Sequence, residues 1–236
     1  AETAELAPAI LTGTFFWALF GTLTMFDMML AVATLVGLCG VVGAWRGGGI
    51  RSWAIVAVAV GIGILAKGPA ILLHILPAAL LAPIWGPALS DAPARPVGGW
   101  KRWYLAVLLA VLGGALIGLA WAVPAGIRGG EAYRNMIFWG QSAGRIVEAF
   151  DHARPFWWYA AVLPPLLLPW LLWPRLWRAF RAMPMASDGA LRLLACWLVP
   201  AFAVFSLISG KQLHYLLPEF PALALLFARA LARAAA

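Results

Sequence analysis

Residues 53–85 form an apolar run of 33 positions whose only charged side chain is Lys67. As one helix rising about 1.5 Å per residue it would be near 50 Å long. A bilayer core is only about 30 Å thick. Lys67-Gly68-Pro69 interrupts the run at its middle. Proline lacks the N–H that the helix ladder needs and steers the residue before it away from the α region. A charge at the break suits an aqueous boundary. The run is therefore expected to fold as a tight hairpin, with one arm at 53–66 and the other at 70–85.

The other apolar stretches lie at 6–23, 28–45, 103–124, 156–173, 191–208 and 215–231. In hydrocarbon every backbone polar group must be paired within its own segment, so these are expected to be helices. Hydrophobic residues make up 64% of the 236 positions and charged residues 11%, against about 25% charge in a soluble domain. The expected fold class is all-α: a single transmembrane bundle over 1–236 with about eight spans. Cys39 and Cys196 lie inside apolar runs, without metal-ligand spacing or a disulfide framework. They read as small buried hydrophobes.

The 17 Lys and Arg residues set the orientation. Six of them, Lys67, Arg128, Arg134, Arg145, Arg154 and Lys211, fall on one side of this topology, and the rest fall on the other. The richer side is expected to be cytoplasmic by the positive-inside rule, with both ends of the chain there. Tryptophans crowd both boundaries, as in an interfacial aromatic belt. No basic block has the length or interleaved aromatics of a nucleic-acid arm, so no nucleic acid is expected, and membrane lipids are the natural contacts. The outer loop, 125–155, is long and rich in polar and aromatic residues, a kind of loop that often carries function. The chain opens Ala1-Glu2-Thr3 without a secretory leader and reads as an internal piece of a longer protein.

Candidate chemical residues gather on the poorer, outer side. Asp27 sits at the mouth of the second span. It either favours the helix N-terminus or holds a substrate hydroxyl, a metal or a lysine. Lys67 either snorkels at its turn or holds a phosphate as a point charge. His74 lies seven residues on and reads as a satisfied intramembrane histidine. If the eighth span begins as a helix, Lys211, His214 and Tyr215 share one face. Arg145 and Arg154 suit a bidentate phosphate clamp, with Gln141 and His152 nearby. Three scattered histidines make a dedicated zinc site an unlikely design.

Several strings then resemble one family. Phe26-Asp27-Met28-Met29-Leu30-Ala31, Leu65-Ala66-Lys67-Gly68-Pro69, Gln141 with Gly144-Arg145, Arg154-Pro155-Phe156-Trp157-Trp158-Tyr159 and Ser209-Gly210-Lys211-Gln212-Leu213-His214-Tyr215 are similar in order and spacing to polyprenyl-phosphate-sugar-dependent membrane glycosyltransferases. Within these, the likeness is to the GT-C branch holding the aminoarabinose transferase of lipid A and protein O-mannosyltransferase-like enzymes. The resemblance covers essentially the whole chain from the family's third membrane helix onward. It implies an undecaprenyl-phosphate or similar sugar donor, a lipid, glycan or protein acceptor, and a periplasmic site on the bacterial inner membrane. It firmly implies no cofactor and leaves room for a divalent cation. Asp27 matches the family's second acidic position. The principal catalytic acid belongs to an earlier loop, so this piece alone is expected to be inactive. Substrate contacts are expected from Lys67, Gln141, Arg145, His152, Arg154, Lys211, His214 and Tyr215.

The competing reading is a multi-pass transporter or flippase for an anionic lipid or solute. It predicts charged or broken helices near the midplane, whereas the breaks evident in the sequence sit at outer ends. The transferase reading requires Asp27, Lys67 and Lys211 to line one outward cavity.

Overall fold

A computed structural model describes residues 2–90, 92–138, 152–183 and 188–235. The described residues form helices α1 (Glu2–Gly13), α2 (Phe15–Gly21), α3 (Phe26–Trp45), α4 (Gly49–Lys67), α5 (Ile71–Leu80), α6 (Ala82–Trp85), α7 (Gly99–Arg128), α8 (Gly130–Asn135), α9 (Trp158–Leu166), α10 (Pro174–Arg181), α11 (Gly189–Leu207) and α12 (Phe220–Ala235). Short 3-10 segments, chiefly Gly68–Ala70 and Leu213–Glu219, join some of them. Five described stretches are long and apolar enough to cross a bilayer, with Gly49–Leu80, which holds α4 and α5, counted as one, or six if α1 and α2, bent by 70°, are taken together.

The hairpin forms where the sequence places it. Gly68 takes φ 64° and ψ −153°, a region open essentially to glycine alone, and Pro69 starts the return. Gly63 on α4 then lies so close to Ile71 on α5 that a side-chain carbon there would clash with it. The far ends of both arms meet the same aromatic cluster. Trp53 packs 4.9 Å from Trp103, and Trp45 lies 5.5 Å from Trp85 and 5.4 Å from Trp103, measured between ring centroids.

Glycines let the first half pack closely. Gly40 of α3 abuts Val56 and the backbone of Ser52, and Gly37 abuts Ile75. Gly61, Gly114 and Gly118 bring α4 against α7 around Ile117, Val60 and Ile64. Lipid tails are as apolar as the helices, so close van der Waals packing at small residues holds such helices together. The outer face of α7 leaves Leu105, Leu108, Leu112 and Leu116 exposed, as a lipid-facing surface would.

In the other half of the bundle, α1 and α12 lie side by side, and Phe16 of α2 packs 4.9 Å from Phe220. Helix α10 is amphipathic. Leu176 and Ala179 are buried, while Arg175, Arg178 and Arg181 are exposed. That pattern suits a helix lying along the membrane surface. At the same end Asp188 caps α11 by accepting from the N–H groups of Ala190 and Leu191. Its second oxygen accepts from Arg229 and Arg233 at 2.9 and 2.8 Å. Burial opposes the charge on Asp188, but Arg229 and the two N–H groups outweigh it and hold the carboxyl below its usual pKa.

Three sequence expectations change. The stretch at 156–173 is not one continuous helix: α9 has nine residues, and Pro164, Pro165 and Pro169 deny the backbone continuous pairing. This break and the α1–α2 bend show that interruptions are not confined to outer ends. The outer loop begins later than position 125, because α7 continues through Pro124 to Arg128 and α8 follows. Part of one tryptophan boundary is a packed core and not a lipid-facing belt, while Trp173 and Trp177 of the same group are exposed. Trp45, Trp85 and Trp103 are buried, and Trp85 and Trp103 donate to the carbonyls of Ala78 and Ala79. Cys196 is buried as expected, while Cys39 lies on an exposed face.

Two measurements check this frame. Gly68→Ala forces a side chain into the glycine-only region and is expected to cost about 1–3 kcal/mol, seen as a lower thermal midpoint in detergent. Asp188 has a folded-state pKa below its unfolded value of about 3.9. Its contribution is full above that value and is lost as pH falls through the folded pKa. Unfolding followed from pH 6 to pH 3 is expected to show a stability loss that is smaller in Asp188→Asn, which keeps the cap and cannot titrate.

Candidate functional site

Asp27 lies in the first turn of α3 and Lys67 is the last residue of α4. Each charge therefore sits at the helix end whose dipole favours it. Met25 holds the N-cap position in an extended conformation, with no side-chain cap. The Asp27 carboxylate is consequently not spent on capping, and it accepts from the Lys67 ammonium. Asp27 is buried, and the Lys67 side chain keeps 17% exposure. On its other side the ammonium lies over the Tyr215 ring, 4.5 Å from the centroid. A carboxylate and an aromatic face thus hold one cation at the tip of the hairpin. Three sequence-predicted residues from three segments meet there.

Around them, His214 packs edge-on against Tyr215 at 5.0 Å and lies 6.3 Å from Phe20. Tyr159 is fully buried and donates to the carbonyl of Gln212 at 2.9 Å. This bond ties the start of α9 to the segment carrying Tyr215.

Lys211 departs from expectation. It precedes the 3-10 segment, so it does not share a helical face with His214 and Tyr215. Its ammonium is buried and donates to the backbone carbonyls of Ile208 and Arg154. Burial pushes its pKa down. The side chain braces a short pairing in which the N–H of Arg154 donates to Ser209 and that of Lys211 to His152. An isolated antiparallel bridge joins Ala153 and Gly210 between them. Lys211 is thus a structural tie. The arrangement expected of the transferase, with Asp27, Lys67 and Lys211 lining one outward cavity, fails at Lys211. That reading rests instead on Asp27, Lys67 and Tyr215 and on the relatives described below. His152 and Arg154 are exposed on the same segment. Gln141 and Arg145 lie outside the described residues.

Glu219 is the residue that sequence reasoning missed. It is buried at the end of the 3-10 segment, and its Oε1 lies 2.5 Å from Nδ1 of His74, itself fully buried. The available signal was an acid inside an apolar span, flanked by Pro218 and Pro221. His74 is satisfied at one nitrogen only, since its Nε2 has no partner among the described residues. Two apolar grooves lie among the described residues. One of about 350 Å³ lies between α3 and α4, lined by Met28, Met29, Val32 and Ile62. The other, of about 320 Å³, is lined by Leu163, Leu198, Phe202 and Glu219. The first starts at Met28, next to Asp27 in the sequence, and the second reaches Glu219.

No family model matches the chain. It is 33% identical over 219 residues to the undecaprenyl phosphate-alpha-4-amino-4-deoxy-L-arabinose arabinosyl transferase 1 of Sodalis glossinidius, a match covering 88% of this chain and 36% of that protein. It is 32% identical over 192 residues to the like-named transferase of Pseudomonas aeruginosa, covering 77% and 31%. Its fold is similar to that of ArnT from Cupriavidus metallidurans bound to undecaprenyl phosphate. There the TM-score is 0.73 at 23% identity, over 99% of this chain and 41% of that one. The chain spans about a third of the length of the curated relatives it matches. The structural likeness shows the fold, a GT-C-type polytopic helical bundle.

The ion pair can be tested by itself. Asp27→Leu leaves a largely buried lysine without its carboxylate and is expected to cost roughly 3 kcal/mol, with most of the loss recovered in the Asp27→Leu/Lys67→Leu double variant. Chemical unfolding of the three proteins in one detergent measures both.

Proposed function

From the premise that this chain is homologous to the undecaprenyl-phosphate aminoarabinose transferases over the part of their length that it spans, we propose that it forms part of a membrane glycosyltransferase. The donor is a sugar on a polyprenyl phosphate of the undecaprenyl type, and the acceptor is a lipid of the lipid A kind. The Lys67 end faces the periplasm of a bacterial inner membrane, and both ends of this chain lie on the cytoplasmic side.

The reaction breaks the bond between the sugar's anomeric carbon and a donor phosphate oxygen. An acceptor oxygen attacks that carbon and gives up its proton, and the electron pair leaves with the lipid phosphate. Charge therefore grows on the phosphate, and a cation placed beforehand lowers the barrier. We assign Lys67 to that task. Asp27 holds Lys67 in place and acts as the secondary acid that orients the acceptor or the sugar. Tyr215 and His214 form the aromatic wall, and Gln141, Arg145, His152 and Arg154 contact the donor from the outer loop. Lys211 supports this arrangement by fixing the loop's return.

One observation carries the reading: Asp27, Lys67 and Tyr215 come from distant parts of the sequence and meet at a hairpin tip. The transporter reading draws on a different observation, the buried His74–Glu219 pair, and predicts flux without sugar transfer.

The test uses the full-length protein in lipid vesicles with a panel of polyprenyl-phosphate sugars. Lys67→Ala is expected to lower transfer by about 100-fold or more, the usual effect of removing one preorganised charge-stabilising group. Transfer at the unsubstituted rate would remove Lys67 from the site.

A further inference from the structure

Away from the Lys67 cluster, the packing of the bundle encloses two ionisable side chains. His74 on α5 is 0% exposed and Glu219 is 3% exposed. They meet through Nδ1 and Oε1 at 2.5 Å. Among the described residues, Nε2 of His74 and Oε2 of Glu219 have no partner. A pair buried with half its polar atoms unanswered is costly, and well-packed apolar side chains in its place are often as stable or more so. Stability is therefore a poor account of its presence, and its position suggests a better one.

The hairpin and the segment Leu213–Glu219 meet through polar groups at two points. At the tip, Lys67 lies over Tyr215. Deeper, His74 meets Glu219. A 3-10 helix has poor internal hydrogen-bond geometry, and Pro218 removes one donor from it. The segment's rotation is therefore weakly set from within. Tyr159 holds only its start, by donating to Gln212, and the buried Leu216 and Leu217 within it supply contacts without directional preference. A hydrogen bond is directional, so the deeper pair selects one rotation of the segment.

We propose that His74 and Glu219 form a register pin that sets the Tyr215 ring over the Lys67 ammonium. Both are positioning residues, acting on the site through Tyr215. Only the consequence for catalysis rests on the transferase reading. The pin itself can be read at Lys67 without any sugar donor.

The experiment uses the full-length protein in detergent and two readouts. One is the thermal midpoint. The other is the rate at which a small amine-reactive ester acylates Lys67, followed by mass spectrometry of the Lys67 peptide. Glu219→Leu and His74→Leu each leave one buried polar group unpaired and are expected to melt lower. His74→Leu/Glu219→Leu is expected to melt at or near the original temperature. With its melting restored, this double variant is still expected to acylate at Lys67 about three-fold faster or more, because the aromatic cover is no longer held in register. Glu219→Gln keeps a hydrogen bond to His74 and is expected to retain the original rate. Acylation of the double variant at the original rate overturns the proposal. Should the double variant fail to fold, Glu219→Met replaces it: a rate equal to that of Glu219→Gln overturns the pin, and a faster one supports it.

Discussion

The chain reversal at Lys67-Gly68-Pro69 is the constraint on which the rest of the structure depends. A bilayer offers the backbone no water, so a reversal must sit where polar groups can still be answered. Gly68 takes a conformation open to it alone among residue types. Pro69 gives up a donor that would have no partner there in any case. The turn leaves Lys67 at the tip, and α5 returns along α4 toward the aromatic cluster of Trp45, Trp85 and Trp103. One end of the first half is thereby packed shut with tryptophan, while the other carries the charge. Moving the turn by a residue would separate Lys67 from Asp27 and shift both arms against the tryptophans.

The two ends use charge differently. At the tryptophan end, Asp188 caps a helix and gathers Arg229 and Arg233. Both of its oxygens have donors, two N–H groups on one and two guanidinium groups on the other. At the tip, Asp27 and Lys67 sit at helix ends whose dipoles favour them, and the lysine keeps part of its surface open. A carboxylate answered on both oxygens by two helices fixes the fold around it. A pair that stays partly open can exchange partners, because an incoming anion competes with the carboxylate for the same ammonium.

Much of this was legible in the sequence because it follows from local rules. A charge and a Gly-Pro step inside an overlong apolar run force a hairpin. That Asp27 and Lys67 fall at the same end of the bundle then follows from counting spans. What stayed hidden depends on side-chain direction. Lys211 has the composition of a phosphate ligand and the same side of the topology, yet it turns inward to two carbonyls because the paired backbone of residues 152–154 and 209–211 offers them. Trp45, Trp85 and Trp103 were expected in a lipid-facing belt and instead pack on one another, since no one-dimensional pattern tells a lipid-facing ring from one stacked on its neighbours. Glu219 was passed over because it stands in the tail of an apolar span without a motif. Its partner His74 is 145 positions away, a separation that no local periodicity can bridge.

The resting charge at the tip bears on what the site can accept. With Asp27 paired, Lys67 presents little net charge to an approaching molecule. A neutral ligand gains nothing from breaking that pair, whereas a phosphate recovers the cost by taking the ammonium itself. The competition therefore acts as a filter for anions. The Tyr215 ring alters the terms of the exchange. It attracts the ammonium whether or not Asp27 holds it, so the cation stays at the tip while its carboxylate partner is displaced. A carboxylate released in this way is free to accept a hydrogen bond from a ligand hydroxyl or amine beside the phosphate. Asp27 and Lys67 can then serve two parts of one molecule, provided that the aromatic ring keeps its place, and that place is set by the segment that ends at Glu219.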